Sequence, residues 1–262
     1  MAPVEYEIDG DLATITLQNP PLRNALTLEA AELIQGAIDE IEDSDVRCVV
    51  IEGADETFCA GGDIESMLDG LSSDRATEEL MEEVGLPINR TVQRVYECSV
   101  PTVAKVDGPA FGAGGSLAIA CDLVLATERA EISFGFRRIG LSIDSGTSYL
   151  LPRVVGEKTA MELVYTGDLI EAAKAEELGL INRVFPREEF DEQCAEIIDG
   201  IVTGPTVALK RSKQLLQSGG DRTFDEAIRA EVDSLGAVFD TDDFSEGVTA
   251  FVERRTPEFE GK

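Results

Sequence analysis

Histidine and tryptophan are absent from this chain of 262 residues. Without histidine there is no Ser-His-Asp triad, no Cys-His pair, no HExxH zinc site and no imidazole general base. Any acid-base chemistry must therefore use carboxylates, tyrosine, lysine, cysteine or water.

Long apolar runs are missing too, since none reaches the ~18 residues that a membrane span needs. The N-terminus "MAPVEYEIDGDLATI" has no basic region leading into an apolar core. The five cysteines are odd in number, widely spaced and without a CxxC pair. We therefore expect a cytoplasmic protein with reduced thiols, no metal site, no resident cofactor and no membrane association.

Basic residues are few: the chain has 22 against 52 acidic residues, which gives a net charge of -30. Only six of the 22 basic residues are lysine. The acidic residues are spread along the chain rather than gathered in a tail. Depletion of lysine together with an excess of acid favours a halophilic protein, in which molar salt screens repulsion within ~3 Å. An ordinary, very soluble acidic protein is the alternative. Binding of nucleic acid through a basic face is disfavoured.

The apolar pattern predicts an α/β fold. "VEYEI" and "ATITL" flank "DGD" and alternate like an antiparallel hairpin. Leu28 begins a helical pattern with Thr27 as its N-cap, and 74–98 also has helical spacing. The continuous apolar runs "RCVVIEG", "TVAKVDG" and "CDLVLAT" are typical of strands covered on both faces.

A last strand is predicted at Leu180–Phe185, after which the periodicity is helical. The predicted helices are 187–203, 205–218, 223–239 and 241–256. We therefore expect a core at 1–185 and a helical C-terminal region at 186–262.

Two glycine-rich loops follow predicted strands: "FCAGGDI" and "GPAFGAGGSLAIA". Neither contains GxGxxG or GxxxxGK[ST], which disfavours a nucleotide-phosphate cradle. The remaining hypotheses are plain tight turns, or loops whose exposed backbone N–H groups form the site. The second loop opens a buried helix near Gly114, and a helix start suits a developing negative charge.

These loops, followed by "GLSIDSGTSYLLPRVVGEKTAMELVYTGDLIEAAKAEELGLINRVF", resemble the crotonase superfamily. The resemblance extends from "NPPLRNAL" to "EGVTAFVERRTPEFEGK" and is closest to the isomerases of the phenylacetate pathway. It implies a spiral of ββα units, a helical C-terminal trimerisation region, a trimer or dimer of trimers, and acyl-CoA thioester substrates.

The resemblance also implies the site residues. The N–H groups of Gly62 and Ala113 would form an oxyanion hole for the thioester oxygen. The remaining candidates would bind coenzyme A or shape the acyl pocket, with Arg254 reaching the CoA phosphates of a neighbouring subunit; they are Arg23, Ala25, Ala60, Asp63, Ile64, Ser116, Phe136, Leu141 and Arg254.

Hydratases of this superfamily use two glutamates, but Ser116 and Phe136 stand at the corresponding positions here. Asp144 remains, at a place where several members have a catalytic aspartate; Ile143 before it replaces a usual proline. By itself, Asp144 is better explained as the N-cap or a first-turn acid of the helix that follows. With the resemblance, a single carboxylate that takes and returns one proton predicts an enoyl-CoA isomerase. An enoyl-CoA hydratase and a non-catalytic acyl-CoA binder are the alternatives.

Overall fold

The computed structural model describes residues 2–262. Its N-terminal strands β1 (Val4–Asp9) and β2 (Leu12–Leu17) form the predicted antiparallel hairpin, with Gly10 in the left-handed region at the turn. Thr27 caps α1 (Leu28–Glu42) by accepting a hydrogen bond from the Ala30 N–H at 3.1 Å. The apolar stripe of α1 is buried, which confirms the helix that the spacing predicts.

The strands form two sheets. The remaining strands are β3 (Cys48–Gly53), β4 (Thr102–Val106), β5 (Pro109–Phe111), β6 (Leu123–Thr127), β7 (Glu131–Ser133), β8 (Ile170–Glu171) and β9 (Arg183–Phe185). The larger sheet has the order β1-β2-β3-β4-β6-β9, in which only the first pair is antiparallel. The smaller has the order β5-β7-β8. From β4 to β7 the chain alternates between the two sheets, with a helix after each pair of strands, and this is the expected ββα spiral.

Helices cover the sheets, and the helix at Ala113–Ala120 (α5) is fully buried because its side chains are small and apolar on every side. The helices of this part are α2 (Ile64–Ser72), α3 (Thr77–Leu80), α4 (Leu86–Glu97), α5 (Ala113–Ala120), α6 (Thr147–Val155), α7 (Glu157–Thr166) and α8 (Ala172–Glu177).

The helical stretch predicted for 74–98 begins only at Thr77 and is interrupted. A π-helical turn at Met81–Gly85 separates α3 from α4. Pro87 lies in the first turn of α4, where its missing N–H and its ring prevent a continuous α-helical ladder. The predicted strand Leu180–Phe185 is also shorter, since only its last three residues pair in the sheet.

The C-terminal region consists of helices, as predicted: α9 (Arg187–Val202), α10 (Thr206–Gly219), α11 (Phe224–Phe239) and α12 (Asp242–Glu253). The last helix ends three residues earlier than predicted because Arg254 adopts a left-handed φ of 58°. Helix α9 packs through Phe190, Cys194 and Ile198 against the larger sheet. The boundary at residue 185 stays a prediction. Among the described helices, none is long and apolar enough to cross a membrane.

Candidate active site

The two glycine-rich loops meet backbone to backbone. The N–H of Cys59 donates to the carbonyl of Pro109 at 3.1 Å, and the N–H of Phe111 donates to the carbonyl of Cys59 at 2.9 Å. A Cβ on Gly61 would lie 2.8 Å from the Phe111 carbonyl oxygen, and one on Gly114 would lie 2.1 Å from the Cys59 carbonyl oxygen. Both positions therefore require glycine because the opposing loop leaves no room for a side chain.

This contact leaves two backbone donors unused. Within residues 2–262, neither the Gly62 N–H nor the Ala113 N–H donates a hydrogen bond. Other N–H groups of the two loops are already paired. The Ala60 N–H donates to the Arg23 carbonyl at 3.0 Å, and the Gly112 N–H donates to the Ser133 carbonyl at 2.7 Å. Ala113 is the first residue of α5, where N–H groups have no intrahelical acceptor and the helix dipole is positive. The arrangement can therefore bind an oxygen that gains negative charge.

Asp144 lies in the turn that precedes α6. The residue is exposed by surface area, yet surrounding protein atoms desolvate its carboxylate and raise its pKa above the ordinary aspartate value. A carboxylate with a raised pKa is a stronger base once it is ionised.

Comparison with known proteins identifies the family to which this arrangement belongs. Residues 7–262 match the family model described as enoyl-CoA hydratase/isomerase. The chain belongs to this family, the crotonase superfamily. It is therefore an acyl-CoA enzyme of the crotonase type.

Individual relatives cover nearly the whole chain. The short-chain-enoyl-CoA hydratase of Clostridium acetobutylicum is 33% identical over 256 residues, covering 96% of this chain and 95% of the relative. The 1,2-epoxyphenylacetyl-CoA isomerase of Escherichia coli is 31% identical over 256 residues, covering 97% of each. The crystal structure of an enoyl-CoA hydratase from Bacillus anthracis superimposes with a TM-score of 0.92 at 28% identity, covering 99% of this chain and all of that one. The crotonase fold is thereby shown.

Ser116 and Phe136 stand where the family resemblance predicts the two glutamates of hydratases. Ser116 is completely buried, and its hydroxyl lies 2.6 Å from that of Thr147. The ring of Phe136 is buried and lies 3.8 Å from where a Cβ of Gly112 would be. No carboxylate therefore stands at either position, and Phe136 makes the space beside the second loop apolar.

Helix α2 borders the first loop with an apolar face. A Cβ on Gly62 would come within 2.8 Å of the Met67 side chain, so Met67 covers the backbone of this loop. Ile64, Leu68 and Leu71 on the same helix are exposed. Leu141, three residues before Asp144, is exposed as well. An acyl chain could pack against side chains of this kind without loss of a hydrogen bond.

Asp63 lies at the start of α2 and acts as its N-cap. One carboxylate oxygen accepts from the Glu65 N–H at 2.9 Å and the other from the Ser66 hydroxyl. Both oxygens are thus engaged in capping, which explains why this acid follows the two glycines. The structure thus gives Asp63 a local role at the start of this helix, and its role in substrate binding stays a prediction.

The loop "RNAL" packs against the first glycine loop. Arg23 adopts a left-handed φ of 51°, which directs its carbonyl to the N–H of Ala60, while Ala25 is buried. The carbonyl of Ala60 accepts no hydrogen bond in the described part of the chain and is free for a ligand. Asn24, which sequence reasoning missed, holds this geometry.

Three hydrogen bonds use the buried amide of Asn24. Its Nδ2 donates to the carbonyls of Ala54 and Thr57 at 2.8 and 2.7 Å, and its Oδ1 accepts from the Asn19 N–H at 2.9 Å. Asn24 itself has a left-handed φ of 57°, and Asn tolerates this conformation better than most residues, so an Asn in a loop is the sequence signal for such a role.

Arg254 is exposed at the end of α12. Its guanidinium has no carboxylate partner within residues 2–262, whereas the neighbouring Arg255 forms ion pairs with Glu246 and Glu253. Arg255 and Glu246 thus fold the tail back onto α12 and leave Arg254 directed to solvent. An unpaired arginine on a chain of net charge -30 is available to an anion.

Proposed function

We propose that this crotonase-family enzyme is an enoyl-CoA isomerase that moves a double bond from C3 to C2 of an acyl-CoA. The observation that carries the proposal is the acid set of the site. Asp144 is present, while Ser116 and Phe136 replace the two acids of hydratases. A double-bond shift consumes no water, so one carboxylate can remove the proton and return it.

The first step is removal of the proton at C2. The ionised carboxylate of Asp144 takes this proton, and the C–H bonding pair moves into a dienolate whose charge rests on the thioester oxygen. The N–H groups of Gly62 and Ala113 stabilise that oxygen; loss of one such donor costs about 10²- to 10³-fold in rate. The protonated Asp144 then delivers the proton to C4, and the double bond forms between C2 and C3.

Hydration of 2-enoyl-CoA is the second candidate. The names of most relatives found favour it, because they are enoyl-CoA hydratases. The isomerase name of one relative supports the proposal instead. Hydration would require Asp144 alone to activate water and deliver a proton.

The two candidates separate on pure substrates. We expect conversion of 3-enoyl-CoA into 2-enoyl-CoA, little hydration of crotonyl-CoA, and loss of isomerisation in Asp144→Asn with retained CoA binding. Fast hydration that depends on Asp144 would reverse the preference. A variant of a surface acid such as Glu196→Gln is the matched control for removal of one negative charge.

The assembly that we propose is a trimer or a dimer of trimers, built through the C-terminal helices. Large apolar side chains on α11 and α12 are exposed in the single chain, including Phe224 at 82% and Phe251 at 85%. Such a face is buried when copies associate. Light scattering after size exclusion at high salt tests this, and a monomer would contradict it. In the assembly, Arg254 would lie near the CoA phosphates of a neighbour.

A further inference from the structure

The turn that carries Asp144 is strained. Ser145 and Gly146 have φ values of 51° and 71°, and the Thr147 N–H closes the turn on the Asp144 carbonyl at 2.9 Å. Two successive residues with positive φ are the pattern of a type I′ turn, which disfavours a residue with a side chain at Ser145. The Ser145 hydroxyl is also buried without a hydrogen-bond partner among the described residues. Such strain persists only where surrounding contacts hold it.

The first of these contacts comes from α4. The backbone N–H of Ser145 donates to Oδ1 of Asn89. The amide of Asn89 is itself oriented, because its Nδ2 donates to the Gly85 carbonyl at 2.8 Å. Gly85 is the last residue of the π-helical turn, so the irregular segment before α4 sets where Asn89 meets the turn.

The second contact comes from α5. The Thr147 hydroxyl donates to the Asp144 carbonyl at 2.6 Å, and the Ser116 hydroxyl lies 2.6 Å from that of Thr147. A carbonyl oxygen only accepts, so the one proton of Thr147 is directed at Asp144. The Ser116 proton then goes to Thr147 rather than to the Gly112 carbonyl, which is farther away at 3.3 Å. Ser116 and Thr147 are buried, where a satisfied chain of hydrogen bonds is stronger than in water.

We propose that Asn89 and Ser116 are positioning residues that hold the Asp144 turn from two sides and thereby aim its carboxylate at the reacting carbons. The inference rests on the proposed function, in which Asp144 carries the proton. It gives the serine at a hydratase glutamate position a defined task. Ser116 orients the base through Thr147 and does not itself react.

Each variant removes one of these contacts, and its kinetics show whether kcat or KM changes. We expect Asn89→Ala, Ser116→Ala and Thr147→Val to lower kcat for 3-enoyl-CoA by about 10- to 100-fold, because small misplacement of a base is costly. KM, and the Kd for a saturated acyl-CoA, should change by less than about threefold. Thr147→Ser keeps the hydroxyl and should restore most of the rate that Thr147→Val loses. A reduced rate with unchanged binding is not the signature of a generally loosened structure.

The same variants are then made in Asp144→Asn, where none should lower the residual rate further. A further loss there would show that these residues act on something other than Asp144 and would overturn the inference. Wild-type kcat in folded Asn89→Ala and Ser116→Ala would also overturn it, while leaving the proposed function intact if Asp144→Asn is inactive. Should Asp144→Asn keep full activity, the proposed function fails, and the positioning role fails with it. If Ser116→Ala does not fold, Ser116→Cys, a weaker donor of similar size, should show a graded loss of kcat.

Discussion

Gly114→Ala tests whether the contact between the two loops creates the oxyanion hole. The added Cβ would lie 2.1 Å from the Cys59 carbonyl oxygen and 2.8 Å from its carbonyl carbon. A nonbonded C···O contact needs about 3.3 Å, so the loops must separate by about 1 Å. This displacement moves Ala113, the residue before Gly114, away from Gly62.

The expected result is a large loss of rate with a smaller loss of stability. Misplacement by about 1 Å costs about 10²-fold in rate, so kcat for 3-enoyl-CoA should fall by that order. Overpacking of the buried contact should lower the free energy of unfolding by about 1–3 kcal/mol. Kinetics at saturating substrate and urea denaturation measure the two effects separately.

Gly200→Ala is the matched control. Gly200 lies in α9, is exposed, and has no neighbouring atom within 4 Å of an added Cβ. In this variant, the better helix propensity of alanine should raise the free energy of unfolding by about 0.5–1 kcal/mol, and the activity should be unchanged. Full activity in folded Gly114→Ala would refute the view that close contact of the loops sets the donors. Gly61→Ala, with a φ of 102° and a Cβ 2.8 Å from Phe111, provides a second measurement.

Three further predictions concern ionisation and salt. Lys213 Nζ is nearly buried and lies 2.7 Å from an Asp122 oxygen, so Lys213→Met should lower the free energy of unfolding, measured by urea denaturation, by about 3 kcal/mol. The double variant with Asp122→Asn should recover part of this loss, and an unchanged stability of Lys213→Met would exclude a role for the pair. Because the pKa of Asp144 is raised and its ionised form is the base, kcat/KM should fall with decreasing pH around a midpoint above ~3.9. The desolvated, ionised carboxylate of Asp144 opposes folding, so the stability that its protonation adds is present at low pH and is lost as pH rises through the folded-state pKa. Asp144→Asn should remove this pH dependence of stability, and a kcat/KM profile whose acidic midpoint lies at or below ~3.9 would contradict a raised Asp144 pKa. Added KCl should raise Tm by screening a net charge of -30, whereas sucrose of equal osmolality should do less; equal effects would point away from charge.

Much of the fold could be predicted because its signals are local. The hairpin, the buried strands and the C-terminal helices follow from alternation, continuous apolar runs and helical spacing. The glycine loops were recognisable for the same reason, since each places its glycines within a few residues. The interruption before α4 was missed because one proline in helical spacing predicts a boundary without specifying a π-helical turn.

The arrangement around Asp144 could not be predicted in the same way. Ser116 and Thr147 are 31 residues apart, and Asn89 and Ser145 are 56 apart. Their hydrogen bonds depend on how α4 and α5 pack, which periodicity does not encode. For the same reason, sequence analysis could place Ser116 near the acyl pocket but could not predict its hydrogen bond to Thr147.

A crystal structure of the protein with an unreactive acyl-CoA is the most direct test of the proposed site. We expect the thioester oxygen to accept hydrogen bonds from the N–H groups of Gly62 and Ala113. We also expect a carboxylate oxygen of Asp144 to lie within about 3.5 Å of C2 or C4. A thioester bound elsewhere, or another carboxylate nearer to these carbons, would contradict the proposed site.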